Sequence, residues 1–176
     1  MKQFVLFGYP CIGKTSLVKK IDNTIDLESS CFSQNCPEHW EAQYLSVAFN
    51  LMDQGYNICL STHGDVLAAG IPAAGYVRNF KKKDIVFLFA FPDMCLKDYW
   101  IKKAGERFER SCSEKDKRAL DRIEKYFDYD IKAIEGWCRE YEGDVVFLPI
   151  TSEDYDLAEM IKEVCKEGEG FDDNKQ

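Results

Sequence analysis

The chain switches repeatedly between short unbroken apolar runs and stretches in which apolar residues recur every three or four positions. The first run, Phe4-Val5-Leu6-Phe7 preceded by Gln3, is too short for a helix and predicts a buried strand. Leu17, Val18 and Ile21 then fall at helical spacing and predict a helix over Thr15 to Ile21. Thr24 to Leu27 reads as a short second strand, and the polar stretch Ser29 to Asn35 as a loop. Pro37 suits a first helical turn, after which Trp40, Tyr44, Val47, Ala48 and Leu51 form one face and Gly55 a stop.

Tyr56 to Thr62 predicts a third strand, and Gly64 to Ala69 a short helix closed by Gly70. Ile71 to Lys83 shows no clear period and holds Pro72, Gly75, Arg78 and three consecutive lysines. Ile85 to Phe91 is apolar throughout, as expected of a strand buried on both faces. Helices are predicted at about 93–110 and 113–141, the second with Leu120, Ile123, Phe127, Ile131, Ile134, Trp137 and Tyr141 as a core-facing stripe. Val145 to Ile150 is a fifth strand, a last helix covers 153–166, and the acidic tail 168–176 is expected to fray. Strands alternating with helices predict a three-layer α/β domain over 1–167, with a five-stranded parallel sheet and ligands at the strands' carboxyl ends.

Composition narrows the setting. A length of 176 residues with 45% hydrophobic residues suits one domain with one core. No apolar stretch is long enough for a membrane helix, and Met1-Lys2 leads directly into the first strand, so a cytoplasmic protein is expected. Eight dispersed cysteines then read as reduced thiols. Cys36 and His39, near Cys31, are spaced like half a zinc site, but no second ligand pair accompanies them. The net charge of −8 argues against a broad nucleic-acid footprint and leaves room for a small basic active site.

The chemistry enters at Gly8-Tyr9-Pro10-Cys11-Ile12-Gly13-Lys14-Thr15, which fits G-x-x-x-x-G-K-[ST] between a predicted strand and a predicted helix. In this P-loop pattern the glycines let backbone N–H groups turn inward around phosphates. Residues 8–16, through Ser16, are therefore the expected nucleotide-binding segment. Lys14 is expected on the β- and γ-phosphates of ATP, and the Thr15 hydroxyl on Mg²⁺.

Phosphoryl transfer also needs an organised metal, an aligned acceptor and cations over the moving group. Asp26 and Glu28, two apart after the second strand, share a side if the chain stays extended. One of these two carboxylates is expected to hold Mg²⁺ through water or orient an acceptor hydroxyl, and the other to bind substrate. His63, in Ser61-Thr62-His63-Gly64 at the third strand's end, is a further substrate candidate. Lys103, Arg107 and Arg110 follow four-then-three spacing and share a helical face, with Arg107 or Arg110 expected over the transferred phosphoryl. An N-K-x-D guanine motif is absent, which disfavours a GTPase switch. Asp93, after the fourth strand, leaves an ATPase-type acid open.

Together these segments resemble the small P-loop kinases, a class that includes nucleoside monophosphate, shikimate and gluconate kinases. Asp26 and Glu28 look like the Asp-x-Asp pair of shikimate kinases, which implies that Asp26 organises Mg²⁺ and the acceptor and that Glu28 contacts substrate. The chain is similar also to short ATP-binding, adenylate-kinase-like proteins of phages and Firmicutes, over most of residues 1–160. It departs from shikimate kinase in lacking the Gly-rich substrate loop, and from adenylate kinase in lacking the Asp-Gly-x-Pro-Arg segment. The resemblance implies a nucleotide-kinase-like fold and an ATP- and Mg²⁺-dependent kinase with a small-molecule acceptor, such as a nucleoside or nucleotide. Two alternatives stay open: an ATP-hydrolysing regulatory module, and a kinase of modified bases in DNA, which the acidic balance opposes.

Overall fold

In the computed structural model the described residues are 1–35, 38, 40–61, 84–140, 143 and 145–167. Five strands form one all-parallel sheet: β1 (Gln3–Gly8), β2 (Thr24–Asp26), β3 (Asn57–Ser61), β4 (Ile85–Pro92) and β5 (Val146–Ile150). Their spatial order is β2-β3-β1-β4-β5. Successive side chains on a strand point to opposite faces. Phe4, Val5 and Leu6 are all fully buried, so both faces of β1 are covered and the domain is a three-layer α/β structure.

The register brings the functional segments together. The third strand lies beside the first, and Gly8 is level with Ser61 on one side and Ala90 on the other. Asp26 is level with Cys59 one strand further out. The carboxyl ends of β1, β2 and β3 thus open onto one crevice. Asn57 locks this arrangement: its Oδ1 accepts from Phe4 N at 3.1 Å while its Nδ2 donates to Asp22 O at 3.2 Å.

The helices are α1 (Lys14–Leu17), α2 (Ser30–Asn35), α3 (Trp40–Asp53), α4 (Lys97–Ser111), α5 (Glu114–Glu140) and α6 (Leu157–Glu167). Four differ from expectation. The helix expected over Thr15 to Ile21 keeps α geometry only to Leu17. Its continuation tightens into three-residue turns, Lys19 N to Ser16 O and Lys20 N to Leu17 O, before Asn23 reverses the chain at φ +54°. The expected loop Ser29 to Asn35 contains α2. Glu28 Oε1 accepts from Ser30 N at its start, and Phe32 packs edge-on against Tyr44 at 5.3 Å, a tertiary contact that overrides its polar composition. The helix expected from about 93 opens with a 3₁₀ turn, Met94–Leu96, capped by Asp93, and becomes α-helical at Lys97. The last helix starts at Leu157 instead of 153, because Asp156 caps the Ala158 N–H at 2.9 Å.

Helices α4 and α5 form a hairpin. Cys112 closes α4 in the left-handed region at φ +48°, and Ser113 starts α5 by accepting from Asp116 N and Lys117 N. Ile123, Phe127, Ile131 and Ile134 are buried, so the stripe on α5 is core packing as expected. Among the described residues, no helix is long and apolar enough to cross a membrane. His63, Arg78, Cys36, Pro37, His39, Tyr141, the expected short helix at 64–69 and the tail 168–176 lie outside the described residues.

Candidate functional site

A cleft of about 640 Å³ lies over the strand ends, lined by residues 10–16, by Asp26 to Ser30 and by side chains of α4 and α5. Its floor is the loop between β1 and α1. Cys11 at φ +64° and Gly13 at φ +104° place two left-handed residues in that loop, a geometry that turns successive N–H groups to one side. The amide of Tyr9 is taken by Ala90 O, Ile12 by Tyr9 O and Ser16 by Gly13 O, and Pro10 has none. Among the described residues, the amides of Cys11, Gly13, Lys14 and Thr15 have no backbone acceptor. The expected segment 8–16 is therefore divided. Tyr9 turns its ring inward, edge-on to Phe127 at 5.9 Å, and anchors the loop without facing the cleft.

Gly8 is required by packing. A Cβ there would lie 2.8 Å from Ile12 Cγ2 and 3.0 Å from Lys14 Cδ. Lys14 thus runs across Gly8, and its Nζ donates to Gly8 O at 2.9 Å. Burial lowers the Lys14 ammonium pKa, and nearby Asp26 opposes that shift most strongly.

The loop is held from outside by two aromatic side chains. Trp100 Nε1 donates to Pro10 O and the Tyr155 hydroxyl to Ile12 O, both at 2.8 Å. Both carbonyls belong to residues of the segment that lines the cleft. The rings of Trp100 and Tyr155 stack at 6.0 Å. Lys103 Nζ lies over both, at 4.8 and 4.7 Å from the ring centres, and donates to the Tyr155 hydroxyl at 2.8 Å. Such cation–π contacts stabilise an ammonium without neutralising it. Sequence reading overlooked both loop contacts, since a lone Trp and a lone Tyr far apart in the chain carry no pattern.

Thr15 Oγ1 donates to Asp26 Oδ2 at 2.9 Å. A hydroxyl and a carboxylate beside the loop are the hard oxygen donors Mg²⁺ takes, so the donor set fits that ion. Glu28 also lines the cleft, ion-paired to Lys115 at the start of α5 and accepting from Ser30 Oγ at 3.0 Å. Burial pushes the Glu28 carboxyl up, but Lys115 and Ser30 outweigh it and hold the pKa below the usual range.

Lys103, Arg107 and Arg110 all line the cleft, as their spacing implied. Arg107 Nε lies 2.8 Å from Asp116 Oδ1, a buried oxygen that no donor meets at hydrogen-bond angles among the described residues. Burial raises the Cys11 thiol pKa despite the pull of Arg107, Lys103 and Lys14. Arg110 sits in the last turn of α4, nearer the hairpin tip. Asp93 is absent from the cleft lining and spends its carboxylate capping Cys95 N at 2.9 Å. Lys115, Arg118 and Arg122 line the cleft and went unnoticed in the sequence, because the core stripe of α5 dominated its reading. Their i, i+3, i+7 spacing was the available signal. Arg122 is fixed by two bonds to Asp130, at 3.0 and 3.1 Å. No family model matches this chain, and no curated protein is significantly similar to it.

Proposed function

We propose that this protein is an ATP- and Mg²⁺-dependent phosphotransferase with a nucleotide-kinase-like P-loop fold, acting on a small acceptor. The observation that carries the reading is the loop itself: four amides without a backbone acceptor among the described residues, at Cys11, Gly13, Lys14 and Thr15, with Thr15 Oγ1 and Asp26 Oδ2 2.9 Å apart beside them. That arrangement suits a triphosphate better than a single anion, because donors, a cation and metal ligands lie in sequence along one cleft.

The roles follow from position. The amides of Cys11, Gly13, Lys14 and Thr15 bind phosphate oxygens, and Lys14 exchanges its bond to Gly8 O for the β- and γ-phosphates. Thr15 and Asp26 would hold Mg²⁺, whose chemistry here is to offset charge on the β- and γ-oxygens. Lys103 and Arg107, both placed beside the loop, cover the moving phosphoryl. An acceptor oxygen attacks the γ-phosphorus and forms the new P–O bond. The bond from phosphorus to the β–γ bridging oxygen breaks, and its electron pair stays on ADP. Where the acceptor is a hydroxyl, its proton passes to the Asp26 carboxylate. A cleft of about 640 Å³ has room for an acceptor beside the triphosphate, which favours transfer over simple hydrolysis.

The test is transfer from labelled ATP to pooled nucleosides, nucleotides, sugars and shikimate-like acids. Acceptor-dependent product is expected, with a loss of about 10²-fold or more in Lys14→Ala, about 3 kcal/mol of transition-state stabilisation. Full turnover by Lys14→Ala would exclude the reading.

A further inference from the structure

Two carboxylates are buried among the described residues, Asp116 and Asp130, and each pairs with an arginine that lines the cleft. Taking a carboxylate out of water is unfavourable, and such a pair adds little stability over apolar residues of the same volume. The two pairs are built differently. Asp130 accepts from Arg122 at two atoms, Nε at 3.1 Å and Nη2 at 3.0 Å, and lies 3.5 Å from the Tyr9 hydroxyl, so that arginine serves as a strut between α5 and the loop. Asp116 meets Arg107 at Nε alone, 2.8 Å from an oxygen that no donor satisfies at hydrogen-bond angles among the described residues. The Arg107 side chain is 39% exposed and that of Asp116 8%, so the cation is open to the cleft and its anchor lies behind it. Burial raises the Cys11 thiol pKa, and Arg107 is the cation that opposes this most, which places it beside the loop. Helix capping does not account for the carboxylate. Ser113 to Asp116 has capping-box spacing, and Ser113 Oγ accepts from Asp116 N at 3.2 Å. The return bond is not made to Asp116, because Ser113 N donates to Ser111 Oγ at 3.2 Å.

We propose that Asp116 is a positioning residue, which holds Arg107 by its Nε so that the two terminal amines of the guanidinium meet the γ-phosphate of the bound nucleotide. The inference rests on the phosphotransferase reading and deepens it, by assigning what aims the arginine at the moving phosphoryl. A long side chain loses rotational freedom when it clamps an anion, and one already anchored at Nε loses less. The terminal amines are the fork that matches phosphate oxygens. Arg110, the other arginine expected over the phosphoryl, has no buried anchor; its Nε donates to Glu106 O at 3.1 Å, one turn back on its own helix. Burial raises the Asp116 carboxyl pKa, but Ser111, Arg107 and Ser113 outweigh it, so the anchor is an anion at neutral pH. A small turn of the guanidinium that brings Nε–H onto Oδ1 would satisfy the buried oxygen. Catalytic hydrogen bonds commonly align in this way only once the ligand is in place.

The experiment is calorimetric titration of the full chain with Mg²⁺ and ADP, and separately with Mg²⁺ and a non-hydrolysable ATP analogue. The ratio of the two affinities isolates the γ-phosphate. Asp116→Asn, which keeps the size and removes the charge, is expected to lower that ratio about tenfold while ADP affinity stays within about twofold of the parent. Arg107→Met should lower it at least as much, and adding Asp116→Asn to Arg107→Met should change it by less than about twofold, because the anchor then has nothing to hold. A capping role for Asp116 would lower Tm and leave the ratio unmoved. Ser111→Ala, at an exposed position, removes one hydroxyl from the carboxylate and carries the test if Asp116→Asn unfolds, with an expected fall in the ratio of about threefold. The inference is overturned, while analogue binding stands, by an unmoved ratio in Asp116→Asn, or in Ser111→Ala where that variant carries the test. Equal losses of ADP and analogue affinity, additive losses in the double variant, or an unmoved ratio in Arg107→Met overturn it as well. Failure of the analogue to bind the parent chain overturns the phosphotransferase reading and the inference together.

Discussion

Tyr155→Phe probes whether the loop between β1 and α1 is shaped from outside. The substitution removes one oxygen and keeps the ring stacked on Trp100 at 6.0 Å. Two bonds go with it, the 2.8 Å donation to Ile12 O and the 2.8 Å acceptance from Lys103 Nζ. Burial pushes the Tyr155 phenol well above its ordinary pKa, so the group is a donor at all physiological pH. Ile12 is 1% exposed, and its carbonyl loses its partner. A buried acceptor left unsatisfied costs about 1–3 kcal/mol. Lys103 is half-buried and keeps its ring contacts, so its share is small. A loss of about 2 kcal/mol lowers Tm by about 4–8 °C in a chain of this size. The loosened loop must also be reordered when nucleotide binds, at about 1–2 kcal/mol per residue fixed, which weakens ATP affinity by about tenfold. Thermal unfolding and titration with a fluorescent ATP analogue read the two effects, with Trp100→Phe, which cuts the Pro10 O bond, as the parallel variant. Stability within about 0.5 kcal/mol of the parent together with ATP affinity within about twofold would refute the reasoning.

Two more predictions concern the loop and the hairpin. Gly8→Ala forces Ile12 and Lys14 aside, since its Cβ would sit 2.8 Å from Ile12 Cγ2. Overpacking of this kind costs about 1–3 kcal/mol, and nucleotide affinity should fall at least about tenfold because Lys14 is displaced; unchanged affinity would show that Lys14 does not depend on Gly8. The Glu28 and Asp116 carboxyls are both raised by burial but held lower overall, Glu28 by Lys115 and Ser30, Asp116 by Ser111, Arg107 and Ser113. Their contribution is complete above the ordinary carboxylate pKa of about 4 and is lost as pH falls through the lower folded values. Urea unfolding across pH 7 to 3 should therefore show falling stability, with a shallower acid decline in Glu28→Gln; identical slopes would remove Glu28 from the account.

The amino-acid sequence by itself determined the layout. Unbroken apolar runs such as Phe4 to Phe7 and Ile85 to Phe91 can be buried only as interior strands, and the structure places both in one parallel sheet. Gly8, Gly13 and Lys14 carried their meaning locally, because a loop's φ angles and its amides are set within a few residues. The face shared by Lys103, Arg107 and Arg110 was equally legible, since helical spacing decides which side chains are neighbours. What the tertiary structure alone decided involves partners distant in the chain. The strand order brings Asp26 to Thr15, α2 forms because Phe32 meets Tyr44, and Trp100 and Tyr155 converge on loop carbonyls 90 and 143 residues away. Short-range sterics and periodicity write themselves into sequence. Contacts closed by chain crossings do not, and in this protein those contacts shape the cleft.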